Sequence, residues 1–375
     1  MSSPLNRLPS AGTRTINRYE QFRTSTIALR PPFCQSAPMR ALLYFLLGVS
    51  AYARGHDSPV PAPLSSIPRL SLVRPARYSG MCDASGAVTV SSNLFVVADD
   101  EANILRVYRS DQAGEPMKQF DCNAFLELHG KSLEADLEGA ARIGDRAFWI
   151  GSHGRNKDGK LRPNRHRLFA TDIALHNGDV TLTPAGRPYT RLLNDLLRDS
   201  RFDQFHFAEA ARYAPKEPGA LNIEGLSATS EGHLLIGFRN PVPAGKALLI
   251  PLLNPNEVIE AKPARFDDAL QLDLGGLGIR DIAWHEGRYL IIAGSWHGGG
   301  PFRLYRWAGP GAEPEPLQVD HLNEYQPEAL VIYPQLGLRQ FQVLSDDGTR
   351  LIDGCPCKDL KDPNQRAFRS FWVAP

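Results

Sequence analysis

The 375-residue chain has almost no net charge: 42 Lys and Arg stand against 41 Asp and Glu. Without a global positive field, nucleic acid is not indicated as a partner. Long apolar runs are also lacking. ALLYFLLGVSAYA, residues 41–53, is too short for a membrane-spanning helix, which needs about 20 apolar residues. Helical periodicity is nearly absent, and the one good helix candidate is Arg191–Phe205. Cysteine is scarce, at five, and Cys355-Pro356-Cys357 lacks the second pair that a zinc ribbon requires. With 42% hydrophobic and 22% charged residues, disorder, collagen and coiled coil are excluded for most of the chain.

What is present begins with an export signature. Met39-Arg40 opens the apolar run, which ends at Ala51-Tyr52-Ala53, an A-x-A pattern for signal peptidase. The 38 residues before it carry five arginines and one acid, Glu20. An upstream misplaced start is the preferred reading, with a transit peptide or a long charged n-region as alternatives. Cleavage after Ala53 leaves 36 basic and 40 acidic residues, a mildly acidic mature chain in the periplasm or outside the cell. Residues 54–68, rich in Pro and Ser, read as a linker to a single domain over 69–375. Four cysteines then remain (Cys82, Cys122, Cys355, Cys357), with three possible pairings. They fall in the first and last repeat units described next, where a disulfide would fasten the two together.

The body is organised by an internal repeat. An acid and small apolar residues lead to a polar turn, an apolar strand and a polar cluster. The acids are Asp83, Glu138, Glu224, Asp281 and Glu328, spaced 55, 86, 57 and 47 residues apart. Units of this length and content predict an all-β fold, a β-propeller of four-stranded blades, with one short helical insertion in the long second interval. Five blades are preferred, and six if residues 172–220 hide a weak one. Ser71–Ser79 resembles the stretch before the fifth acid, so this N-terminal strand is expected to complete the last blade and close the ring.

CDASGAVTVSSNLFVVADDEANILRVYR, DLEGAARIGDRAFWIGSHGRNKDGKLRP and NIEGLSATSEGHLLIG resemble the bacterial family called domain of unknown function 3616, over about residues 78–375. That resemblance implies no activity. In repeat style alone, the chain is also similar to phytase-like propellers.

Hairpin geometry places the start of each blade's first strand beside the end of its second. The five acids should therefore form a ring at one channel mouth, beside the clusters Asp99-Asp100, Ser152-His153, Arg239-Asn240, Ser295-His297 and Asp346-Asp347. An acid in this position can instead accept backbone N–H bonds from the next blade. Clustered, the five raise one another's pKa and need compensation, either from Arg239 and Arg280 or from a hard cation such as calcium. The candidate metal ligands are Asp83, Glu138, Glu224, Asp281 and Glu328. A basic loop, SHGRNKDGKLRPNRHR, leaves the same rim. Arg155, Asn156, Lys157, Arg239, Asn240, Arg280, Ser295 and His297 are the candidate binders of a small anionic ligand. His153, Glu138 and Glu224 are the candidate catalytic groups, with His166 a further acid–base candidate. Two function classes result: an exported hydrolase of an anionic substrate, phosphoester by preference, or a propeller that binds without chemistry.

Overall fold

The computed structural model describes residues 69–375; the signal, upstream and linker readings lie outside them. Three four-stranded antiparallel sheets and one eight-stranded sheet account for nearly all the strands, and the eight-stranded one is two four-stranded blades joined where Arg69 and Leu70 pair in parallel with Gln318 and Val319. Blade 1 is Ala84–Thr89, Leu94–Asp99, Ile104–Arg109 and Lys118–Asp121. Blade 2 is Leu137–Ile143, Arg146–Gly151, Leu168–His176 and Asp179–Tyr189. Blade 3 is Asn222–Ala228, Leu234–Asn240, Ala247–Leu252 and Leu270–Leu272. Blade 4 is Gly278–His285, Arg288–Gly294, Arg303–Trp307 and Glu315–Val319. Blade 5 is Pro327–Val331, Phe341–Ser345 and Ala367–Ala374, completed on its outer edge by the N-terminal strand Arg69–Ser79. The innermost strands of blades 1 to 5 contact one another in order, and the fifth returns to the first. Residues 172–220 hold no sixth blade.

Each blade is sandwiched between two others, so its second strand is buried on both faces. This is why those strands read as unbroken apolar runs such as LFVVA and LLIG rather than alternating ones. Burial is divided into five main clusters, one at each junction between blades. The predicted helix Arg191–Phe205 is instead two short pieces, with a third just beyond it. Leu192–Leu196 is one turn, Ser200–Phe205 is a 3-10 segment and Phe207–Ala210 is another turn. Asp199 breaks the pattern: it is extended, and its carboxylate accepts the Arg201 N–H, starting a new segment. The apolar side chains still pack as the periodicity required, against the junction of blades 2 and 3.

The ring is closed twice. Arg69–Ser79 pairs antiparallel with Ala367–Ala374, and Cys82 at the entry to blade 1 forms a disulfide with Cys357 in the insertion of blade 5. Cys122 and Cys355 are free thiols. Among the described residues no helix is long and apolar enough to cross a membrane.

Candidate functional site

The first strand of each blade carries a register shift near its start. Leu137 faces Gly151 and Gly139 faces Ile150, so Glu138 is the extra, bulged residue. By the same count the bulged residues are Glu224, Arg280 and Glu328 in blades 3, 4 and 5. In blade 1 the shift falls between Ala84 and Ala87. A bulge re-aims its side chain, and these four aim together at one mouth of the channel. The glycine that follows the acid has a separate cause. A Cβ on Gly86 would come 2.5 Å from the Gly139 carbonyl carbon, and one on Gly139 would come 2.9 Å from the Glu224 carbonyl oxygen. At Gly86 and Gly139 the inner strands approach too closely for any side chain.

Two of the five expected acids therefore change role. Asp281 occupies the glycine position of blade 4, one residue past the bulge. Its carboxylate accepts the N–H of Leu330 in blade 5 at 2.7 Å and that of Ile282 at 2.8 Å. Burial pushes its pKa up to about 7, and those two donors oppose the rise. It is a strut between blades, and Arg280 takes the ring position. Asp83 lies two residues before the bulge, in register with Asp136 rather than with Glu138. It forms a neighbouring cluster with Asp100 and Glu101, close to Lys358, which pairs with Glu101 at 2.7 Å. Gly348 lies so near the Asp83 carboxylate that only a glycine fits.

Glu138, Glu224 and Glu328 do meet: one oxygen from each lies within 4.8 Å of the others. Arg239 Nη1 donates to Glu224 Oε1 at 2.7 Å, as does Asn222 Nδ2 at 2.6 Å. Arg280 Nη1 lies 2.9 Å from Glu224 Oε2, and the rest of its guanidinium forks onto Glu328. Burial disfavours the Arg280 charge, but Glu224, Glu328 and Glu138 outweigh it and hold the group protonated. Burial pushes Glu328 up to about 8, Arg280 opposes the rise, and Glu224 and Asp346 add to it. Glu138 is raised well above the carboxylate range, first by burial, then by Asp136, Glu224 and Glu328. Asp100 is raised likewise, by burial and by Asp83 and Glu138. Asp136 rises to about 7 through burial, despite Arg165 at 2.7 Å. The rim thus holds more carboxylate than its buried arginines neutralise.

Apart from Arg165, the basic loop does not supply the balance. Arg155 donates to the carbonyls of Ala211 and Gly159, and Arg167 to those of Leu126, Glu127, Pro163 and His166. Arg165 pairs with Glu134 and Asp136. Asn156 accepts the N–H groups of Asp158 and Lys160, shaping the turn. These residues staple the loop to the body, and only such side chains as the exposed Lys157 remain open to solvent. His153 is 2% exposed, stacked on His166 at 5.3 Å and bonded through Nδ1 to the Gly151 carbonyl. Burial lowers its pKa to about 3 and that of His166 to about 4. It is a ring inside the wall whose charged form burial disfavours. Asp99 and Asp347 serve as partners of Arg106 and Arg369, while Asp346 faces the acid field.

The cation that sequence reasoning missed is Lys216. Asn240 Nδ2 donates to the carbonyls of Pro215 at 3.1 Å and Glu217 at 2.8 Å, fixing the segment between them. The Lys216 side chain reaches Gly298, where a Cβ would lie 3.1 Å from Nζ. Burial lowers its pKa, as do Arg239 and Arg280, while Glu224 and Asp346 raise it. Ser295 is buried beneath the same Gly-rich loop, and the exposed His297 bonds to the Gly298 carbonyl. The other channel mouth opens into a cavity of about 600 Å³ with largely apolar walls, including Leu226, Trp284 and Ile332, and none of the ring carboxylates.

If Asp281 is a strut, Asp281→Ala should cost about 1–3 kcal/mol by stranding two buried N–H groups. Chemical denaturation measures this. No measurable loss of stability would count against the strut.

The family model described as "Protein of unknown function (DUF3616)" matches residues 83–173 and 179–331. No curated protein matches. Among solved structures, the chain is similar to the glutaminyl cyclase of Myxococcus xanthus at 14% identity, covering 82% of this chain and 97% of that one, TM-score 0.42. It is also similar to the PQQ-bound aldose sugar dehydrogenase of Streptomyces coelicolor at 12% identity, covering 81% and 98%, TM-score 0.40.

Proposed function

The chain belongs to the DUF3616 family, whose description names no activity, and we propose for it a cation-dependent site that handles a small anionic substrate at the carboxylate mouth of the propeller. The observation that carries this reading is the excess of buried carboxylate over arginine around Glu138. Glu138, Glu224 and Glu328 would hold the ion. Three oxygens within 4.8 Å of one another admit a centre no more than about 2.8 Å from each, a spacing compatible with the 2.3–2.6 Å bonds of calcium. Such a cation would draw phosphoryl or carboxylate oxygens to the rim. Lys216 stands over the same mouth. Arg239, 7% exposed, keeps a buried Nε without a hydrogen-bond partner, and that N–H suits an incoming oxyanion. Glu138, whose charge is the least compensated in the ring, is the carboxyl best suited to exchange its proton for the cation.

Hydrolysis of a phosphoester is the preferred reaction. Binding without chemistry is the second reading, favoured by the burial of His153. The deciding experiment compares full-length protein with and without chelator. About one calcium per chain is expected, together with chelator-sensitive release of phosphate from simple esters. Calcium without turnover would select the binding reading, and no calcium at millimolar supply would reject the site. Glu138→Gln should reduce calcium content at least tenfold with the fold intact, since no arginine fork depends on it. We further propose that the protein acts outside the cytoplasm. The run after Met39 supports this, as does the Cys82–Cys357 disulfide. An N-terminus at or near Arg54 in protein from its host tests the proposal, and a product retaining residues 1–38 would oppose it.

A further inference from the structure

Beside the carboxylate mouth, on the same rim, is a second cavity of about 450 Å³. Its walls include Phe205, Tyr213, Val242, Pro243 and Trp296. Tyr213 is 37% exposed and Trp296 is half-buried, so aromatic surface faces the space. The two sites share their framework. Arg239 pairs with Glu224 in the ring, while the next residue, Asn240, lines the cavity. Asn240 also holds the segment that sends Lys216 to the ring side and Pro218 and Gly219 to the cavity side. Ser295 and Trp296 are likewise adjacent, the one beneath the Gly-rich loop and the other in the cavity wall.

We propose that this cavity is the second half of one binding face, and that the protein takes an anion carrying an aromatic ring. The charged group would sit at the carboxylate mouth near Lys216, and the planar ring would lie against Trp296 and Tyr213. Aromatic pairs gain from offset or edge-on contact beyond simple burial. A charged site alone accepts any small anion, whereas a mouth joined to an aromatic-walled cavity prefers one with a ring. The inference rests on the reading of the mouth as a cation-dependent anion site.

The test uses calcium-loaded full-length protein and two probes, phenyl phosphate and methyl phosphate, with binding followed by calorimetry. Phenyl phosphate should bind about tenfold tighter. Trp296→Ala should abolish that preference while leaving methyl phosphate binding unchanged. Tyr213→Ala, on an exposed side chain, should erode it and serves if the first variant fails to fold. Equal binding of both probes, or equal weakening of both by these variants, would overturn the aromatic subsite and leave the anion site standing. Failure of both probes to bind in calcium would overturn the anion site, and this inference with it.

Discussion

A Glu224→Leu protein is expected to lose about 3–5 kcal/mol of stability, measured by urea denaturation in the presence of chelator. Glu224 is 1% exposed, and three groups converge on it: Arg239, Arg280 and Asn222. Removing the carboxylate leaves Arg239 buried without its counter-charge and returns Arg280 to Glu328 alone. Uncompensated buried charge is the costly outcome, more so than the loss of the contact itself. The contrast is Glu315→Gln, which breaks an exposed pair with Arg306 at 2.8 Å and should cost at most about 1 kcal/mol. A loss below 1 kcal/mol at Glu224 would mean that water reaches the arginines freely and that the site is not the desolvated cluster described. Since Glu224 is an anchor as well as a ligand, Glu138 is the better position for testing the metal.

The second large effect is on pH. In chelator, the melting temperature should fall as pH rises from 5 to 9, opposite to the usual behaviour of ion-paired carboxylates. Burial and Asp346 push Asp83 up to about 8, and Asp100 and Glu138 are raised well above their ordinary values. Below about pH 4, folded and unfolded chains both carry these protons, and the stabilising contribution is complete. Between there and about pH 8, only the folded chain retains them, so each rise in pH erodes its advantage. Above the folded values both states are ionised, and the buried charges repel without relief. One kcal/mol is worth roughly 1–2 °C in a chain of this size, so a drop of roughly 5 °C is expected. Calcium replaces the protons as the compensating charge and should flatten the curve. A chelated protein whose melting temperature rises over this range would contradict the buried acid field.

The architecture was legible because a propeller repeats one pattern of strand and turn. The closing strand could be read from its likeness to the stretch before Glu328. The ring itself was legible only in part. Aligning units on the first acid put Asp83 and Asp281 in place of blade 1's bulge and Arg280. The better signal is two residues long: Asp136-x-Glu138, Asn222-x-Glu224 and Gln326-x-Glu328 share a polar residue two before the glutamate. Under that spacing Asp83 aligns with Asp136, and Ser85 falls at the bulge. Nothing local told Arg280 from Asp281, because which of two adjacent residues turns to the channel is decided by the register shift. The basic loop misled for another reason. Arginine content reports charge but not occupancy, and backbone carbonyls had already claimed Arg155 and Arg167. Lys216 carried no motif at all, as its position depends on Asn240, two strands' worth of chain away.

The pairing of Arg69–Ser79 with Ala367–Ala374 bears on the order in which the molecule can be made. The strand that leaves the ribosome early has no partner until almost the whole chain has followed it. Blades 1 to 4 can form as they emerge, each from a contiguous stretch, but the fifth must wait with an unsatisfied edge. An open propeller of this kind presents a sheet edge to any passing chain, and its closure couples residues nearly 300 positions apart. Shortening the C-terminus by the last strand should therefore do more than remove the nine residues 367–375. It would leave both ends of the ring searching for a mate, and strand exchange between molecules would become the nearest substitute for closure within one.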